Sequence, residues 1–169
     1  ALELTPRFAS HYHGSVKAAP VAHESDLDDG EPLSAHAVNV ALAALAAARQ
    51  QFMSHKSADA LLADVVPALD MLLGTLAEYC GQRPQGAANR QLSQASPTCE
   101  HLVRAGLWDW VSLFGQDLHR HYQSLASESS SVYEMLTLSE HVERVLWQFG
   151  IFLSDIDDGR MWIDAGDDE

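Results

Sequence analysis

The sequence predicts an all-α protein, an antiparallel bundle of about four helices in up-down-up-down order. Three observations predict it. Apolar residues recur at steps of three and four through much of the chain, which is the period of one helix face. Ser, Gly and Pro punctuate those stretches where helix caps and breaks belong. The 169 residues, 47% apolar and 20% charged, are enough to bury a core without metals or disulfides, and their balance is not that of a disordered chain. The expected division is an irregular N-terminal arm over residues 1–33, a helical bundle over 34–159 and an acidic tail over 160–169.

The arm is read as irregular because Pro6, Gly14, Pro20, Gly30 and Pro32 fall too often for a long helix. A short helical turn is allowed between Arg7 and Tyr12. The first bundle helix is expected from a Ser34 cap to about His55, with Val38, Leu42, Leu45 and Phe52 in one stripe. Ala37, Ala41, Ala44 and Ala48 form a small-residue strip beside it. The second runs from a Ser57 cap to about Cys80, ended by Gly81, and buries Leu62, Val65, Leu69, Leu72, Leu76 and Tyr79. Pro67 falls inside it, and the apolar period continues on both sides, which predicts a kink rather than a break. Residues 81–96 form an unusually long polar loop, ordered or a tether.

The third helix opens at Ser96 and Pro97 and runs to about Ser127 along Val103, Leu107, Trp110, Phe114, Leu118 and Leu125. The fourth carries the strongest period: Met135, Leu138, Val142, Val145, Phe149, Phe152 and Ile156 alternate in steps of three and four. Such a seam suits a bundle helix or a second copy of the chain, so monomer and homodimer both stay open. The tail around Trp162 allows a short strand or turn.

Charge narrows the function classes. There are 24 acids against 10 Lys and Arg, a formal charge of −14. That surplus opposes direct nucleic-acid binding, which needs cations to displace counterions from phosphates. It opposes docking on an anionic membrane surface too. A basic protein partner is electrostatically easier. No window approaches a transmembrane run of apolar residues. No secretory signal is visible either, although a chain starting at Ala1 leaves a trimmed leader open; a cytoplasmic location is the expectation.

The acids are concentrated. Glu24, Asp26, Asp28, Asp29 and Glu31 lie before the first bundle helix. Asp155, Asp157, Asp158, Asp164, Asp167, Asp168 and Glu169 follow the fourth, and the two groups hold half of the 24 acids. They contain an internal echo, Ser25-Asp-Leu-Asp-Asp-Gly30 and Ser154-Asp-Ile-Asp-Asp-Gly159. An up-down-up-down bundle would gather both runs at one pole, a patch that steers a basic partner. The plainer account is two solvated ends with ordinary Asp-Gly turns.

Motifs for chemistry are missing. Neither acidic run matches an EF-hand, since Gly falls at position five from both Asp26 and Asp155. The nine histidines include His11 and His13 in the arm, and His119 and His121 on different faces of one helix. Asp117 and His121 are spaced one turn apart, and His141 and Glu143 sit beside the fourth seam. No Glu-x-x-His occurs, so a di-iron bundle is unsupported. There is no nucleophile elbow, P-loop or dinucleotide fingerprint. Cys80 and Cys99 lack zinc spacing and are read as free buried thiols rather than a disulfide. Catalytic residues, metal and cofactor are all expected to be none.

The preferred reading is a non-enzymatic domain that binds and inhibits a more basic protein, the physical class of immunity proteins, antitoxins and anti-activators. Its expected contacts are Asp26, Asp28, Asp29, Asp155, Asp157 and Asp158. Trp108, off the stripe of its helix, is a candidate interface anchor, with packing under the arm as the plainer account. One alternative is a ligand- or metal-binding bundle with a pocket of Asp117, His121, His141 and Glu143, possessing enzymatic activity. Another is a secretion chaperone or adaptor with an exposed apolar groove.

Overall fold

The computed structural model describes residues 4–18, 24–82, 97–127, 132–156 and 160–165, with 24–33, 155–156 and 160–162 described by their backbone path. These residues form six helices and one two-stranded sheet. The protein is therefore mostly helical, but built from more and shorter pieces than four long helices.

Within the expected arm, 1–33, the described residues are helical rather than irregular. Helix α1 spans Thr5–Ala18, with Pro6 in the first turn, where its missing N–H would have had no intrahelical partner anyway. Leu4, Phe8 and Tyr12 follow one another at single-turn spacing and are buried. Helix α2 spans Glu24–His55, beginning ten residues before the expected Ser34 cap. It continues through Gly30 and Pro32 into an alanine-rich run of high helix propensity. Ala35, Val38, Ala41, Leu45, Ala48 and Phe52 are its buried face.

The turn to the next helix uses Lys56 in the left-handed region (φ 52°) and Ser57 as N-cap, its hydroxyl accepting from Ala60 N–H at 3.3 Å. Helix α3, Ala58–Gly81, runs through Pro67, which is exposed. Leu61, Val65, Leu69, Leu72, Leu73 and Leu76 are buried. By length and composition α3 could cross a membrane. In the fold it is the central helix, and α1, α2 and α5 all pack on it. Residues 83–96, the expected long loop, lie outside the described residues.

The third expected helix is two, α4 (Pro97–Arg104) and α5 (Trp108–Ala126). Gly106 stops α4 with φ 69°. Its N–H reaches Val103 O at 3.0 Å, and Leu107 N–H reaches back to Leu102 O at 2.9 Å. That is a Schellman cap, and the two leucines it joins are both buried.

Helix α6, Val132–Gln148, is followed by a second left-handed glycine, Gly150 (φ 65°), whose N–H reaches Trp147 O at 3.0 Å. The apolar period that predicted helix up to Ile156 instead continues as strand β1, Ile151–Ile156, antiparallel to β2, Arg160–Ala165. Ile151 is buried and Leu153 half-buried, while Phe152 and Ser154 face out, an alternation that belongs to a strand. Residues 160–165, expected in the tail, are thus half of a hairpin packed on α6 and α2. The seam positions Leu138, Val142 and Val145 are buried within the chain.

Candidate functional site

The two acidic runs are rooted at different places along α2. Asp26, Asp28 and Asp29 occupy the N-terminal end of that helix. The hairpin is rooted near its other end, where Gly150 lies against Arg49: a Cβ on Gly150 would stand 3.1 Å from Arg49 Nε. From Glu24 to Arg49 is roughly 35 Å of helix at about 1.5 Å per residue. Asp155 is on β1 opposite Met161, and Asp157 and Asp158 lie outside the described residues. A common tip presupposed a fourth long helix returning to the start of the first. The Gly150 cap instead turns the chain into the hairpin beside Arg49.

Trp108 opens α5 half-buried, packed against the hydrophobic core. Among the described residues, the exposed tryptophan is Trp147, on α6. Positions 133, 136, 140, 143 and 147 share one side of an α-helix within about 80° at 100° per residue. All five are exposed: Tyr133 at 80%, Leu136 at 43% and Trp147 at 50%, with Glu140 and Glu143 between them. Arg144 reaches Glu140 at 3.1 Å and leaves Glu143 facing solvent. Phe152, also exposed, follows on β1 just past the end of this helix. The opposite side of α6, with Leu138, Val142 and Val145, is buried. One helix therefore divides its apolar side chains between the core and the surface.

Behind that helix lies a set of rings. His141 is fully buried, its Nε2 3.0 Å from Asp117 Oδ2, and Phe114 and Trp110 lie edge-on to it. Arg120 holds the other Asp117 oxygen at 2.7 Å. Burial lowers the His141 pKa, and the hydrogen bond and charge of Asp117 offset that only in part. The neutral ring donates Nε2–H to Asp117, leaving Nδ1 a bare buried acceptor without a hydrogen-bond partner. His121, expected to pair with Asp117, instead stacks on His13 of α1, with centroids 5.8 Å apart. Glu143 faces solvent on another side of α6. The four groups of the pocket reading therefore do not converge, and no cluster of three or more metal-ligating side chains occurs among the described residues.

The Asp117–His141 pair acts as structural cement between α5 and α6. Asp117→Ala is expected to cost about 1–2 kcal/mol, the penalty of an orphaned buried polar group. It also removes the interaction that raises the His141 pKa, so folded His141 resists protonation further. Stability should then fall more steeply as pH drops below the ordinary histidine value of about 6.5. Urea unfolding at pH 7.5 and 5.5 measures both effects.

An open groove of about 630 Å³ runs between α1 and α3. Its walls are Arg7, paired with Asp70 at 3.1 Å, and His11, whose Nδ1 is 2.7 Å from Glu78. Both pairs are largely exposed and of small energetic weight. Cys99 is buried and Cys80 partly so.

Comparison with family models, curated proteins and solved structures finds no match to this chain.

Proposed function

We propose that the chain is a non-enzymatic protein-binding domain whose outward face of α6 docks a basic, apolar segment of a partner protein and thereby inhibits or regulates it. The row Tyr133, Leu136, Glu140, Glu143 and Trp147 carries this reading. Aromatic side chains at the centre of a contact supply most of the binding energy. Interleaved carboxylates, on a chain of net charge −14, select a cationic partner and speed its approach. Asp155, Asp157 and Asp158 follow Phe152 in the sequence and add to the negative charge of the chain. Asp26, Asp28 and Asp29 add to the long-range attraction from the other end of α2. The cytoplasm is the proposed location.

The test is capture by the immobilised chain, repeated with a Tyr133→Ala/Trp147→Ala variant and across a salt series. A basic partner should lose at least about thirtyfold in affinity with the variant, the equivalent of one 2 kcal/mol hot spot, and should weaken as salt rises. A partner indifferent to both changes would overturn the reading. The same apolar exposure supports a second reading, a chaperone or adaptor for a secreted client. In that case the face takes an unfolded basic-apolar peptide rather than a folded partner, which a peptide titration distinguishes.

A further inference from the structure

We infer that α1 is an acid-released cover: in mild acid it lifts from α5 and bares the aromatic surface beneath it. Helix α1 packs mainly on α3 and also meets α5 and α6, and its contacts with α3 and α5 differ in kind. Toward α3 it meets Gly74 and Gly81 at close range, with the Arg7–Asp70 and His11–Glu78 pairs alongside. Toward α5 it presents an interface of rings. Phe8 meets Phe114 edge-on, Tyr12 meets Tyr122, and His13 stacks on His121 and meets Tyr122. The Tyr12 hydroxyl lies 3.4 Å from His119 Nδ1.

Nothing in this interface welcomes a proton on His13. Its Nε2 is buried without a hydrogen-bond partner. The charges acting on it are those of Lys17 on its own helix and His121 on α5, both of the same sign as a protonated His13. The acids of α3 that face α1, Asp70 and Glu78, are engaged by Arg7 and His11. Burial and those like charges lower the His13 pKa, and burial lowers that of His119.

The sign follows from linkage. With α1 released, both rings take the ordinary value of about 6.5 and bind protons more readily than when docked. Docking is therefore fully favoured above that pH and is lost as pH falls below it, through the lowered docked values. In that window each of the two histidines raises the opening constant by up to about tenfold per pH unit. Release would expose Phe8, Tyr12 and Phe114, an apolar surface separate from the α6 face.

Hydrogen exchange on the whole chain at pH 7.5 and 5.5, corrected for intrinsic exchange rates, tests this. The reference is α3, which carries no histidine. Protection of α1 amides should fall relative to α3 at the lower pH, by up to about tenfold for each of the two histidines. A His13→Gln/His119→Gln variant should lose that pH dependence. If α1 and α3 amides keep a constant ratio at both values, or the variant responds to acid as fully as the parent, the inference fails. The parent measurement decides the matter even if the variant does not fold.

Discussion

Phe114→Ala is expected to remove about 3–5 kcal/mol of stability, the range for truncating a buried aromatic side chain. The ring has no exposed surface and sits where three helices meet. Phe8 of α1 packs edge-on at 5.4 Å, Trp110 stacks at 5.4 Å and His141 of α6 is edge-on at 5.2 Å. No single neighbour can fill the hole, because each is held by another contact: His141 by Asp117, and Phe8 by its place on α1. Domains of this kind have a total stability of about 5–15 kcal/mol, so the variant should unfold at much lower urea concentration. A loss below about 1.5 kcal/mol in tryptophan-monitored urea unfolding would mean that α1 and α6 collapse into the space, contrary to the rigid junction described.

Gly81→Val should cost up to about 3 kcal/mol, the upper range for overpacking a tight contact. A Cβ at Gly81 would stand 2.8 Å from the carbonyl oxygen of Tyr12 and 2.9 Å from Ser15 Cβ. The nearest of these atoms is backbone and cannot rotate away, so α1 must back off as a whole. Gly14→Ala is the matched control. Nothing lies within 4 Å of a Cβ there, and a mid-helix alanine is better than glycine by about 0.5–1 kcal/mol. Thermal unfolding of the pair should move in opposite directions. Equal shifts of the same sign would show that the α1–α3 crossing is not as close as described.

Parts of this fold are legible in the chain. Ser57 and the α3 period define one helix almost to the residue, because cap, period and terminator agree there. The failures have physical causes. Val103, Leu107 and Trp110 stay in step across the gap between α4 and α5. The period therefore ran through a break that only the left-handed Gly106 reveals. At Phe149, Phe152 and Ile156 a helical spacing overlaid a strand, and Gly150 was the signal that the spacing hid. Helix α1 was discounted for its Pro and Gly, although Leu4, Phe8 and Tyr12 announced a buried face. The internal echo shows how little a short string dictates: Ser25 to Gly30 lies within α2, while Ser154 to Ile156 lies in β1.

The candidate site was less legible. Trp108 was chosen because it left its stripe, yet a helix end can fold such a side chain back onto the core. Trp147 stands beside the strongest seam in the sequence, and nothing in the spacing singles it out. Sequence spacing places side chains on faces, but which face a helix turns inward depends on its neighbours. The meeting of His13 with His121 depends on α1 crossing α5, more than a hundred residues away in the chain, and no local pattern encodes that.

The seat of the hairpin bears on how the molecule is made. Since β2 packs on α2, a segment translated after the six described helices rests on one of the earliest of them. A growing polypeptide can pair α2 with α3 as soon as both have left the ribosome, whereas the α2 surface under β2 stays uncovered until β2 arrives. That interval leaves the edge of β1 that β2 will pair open to wrong partners, and slow translation of residues 160–165 would lengthen it.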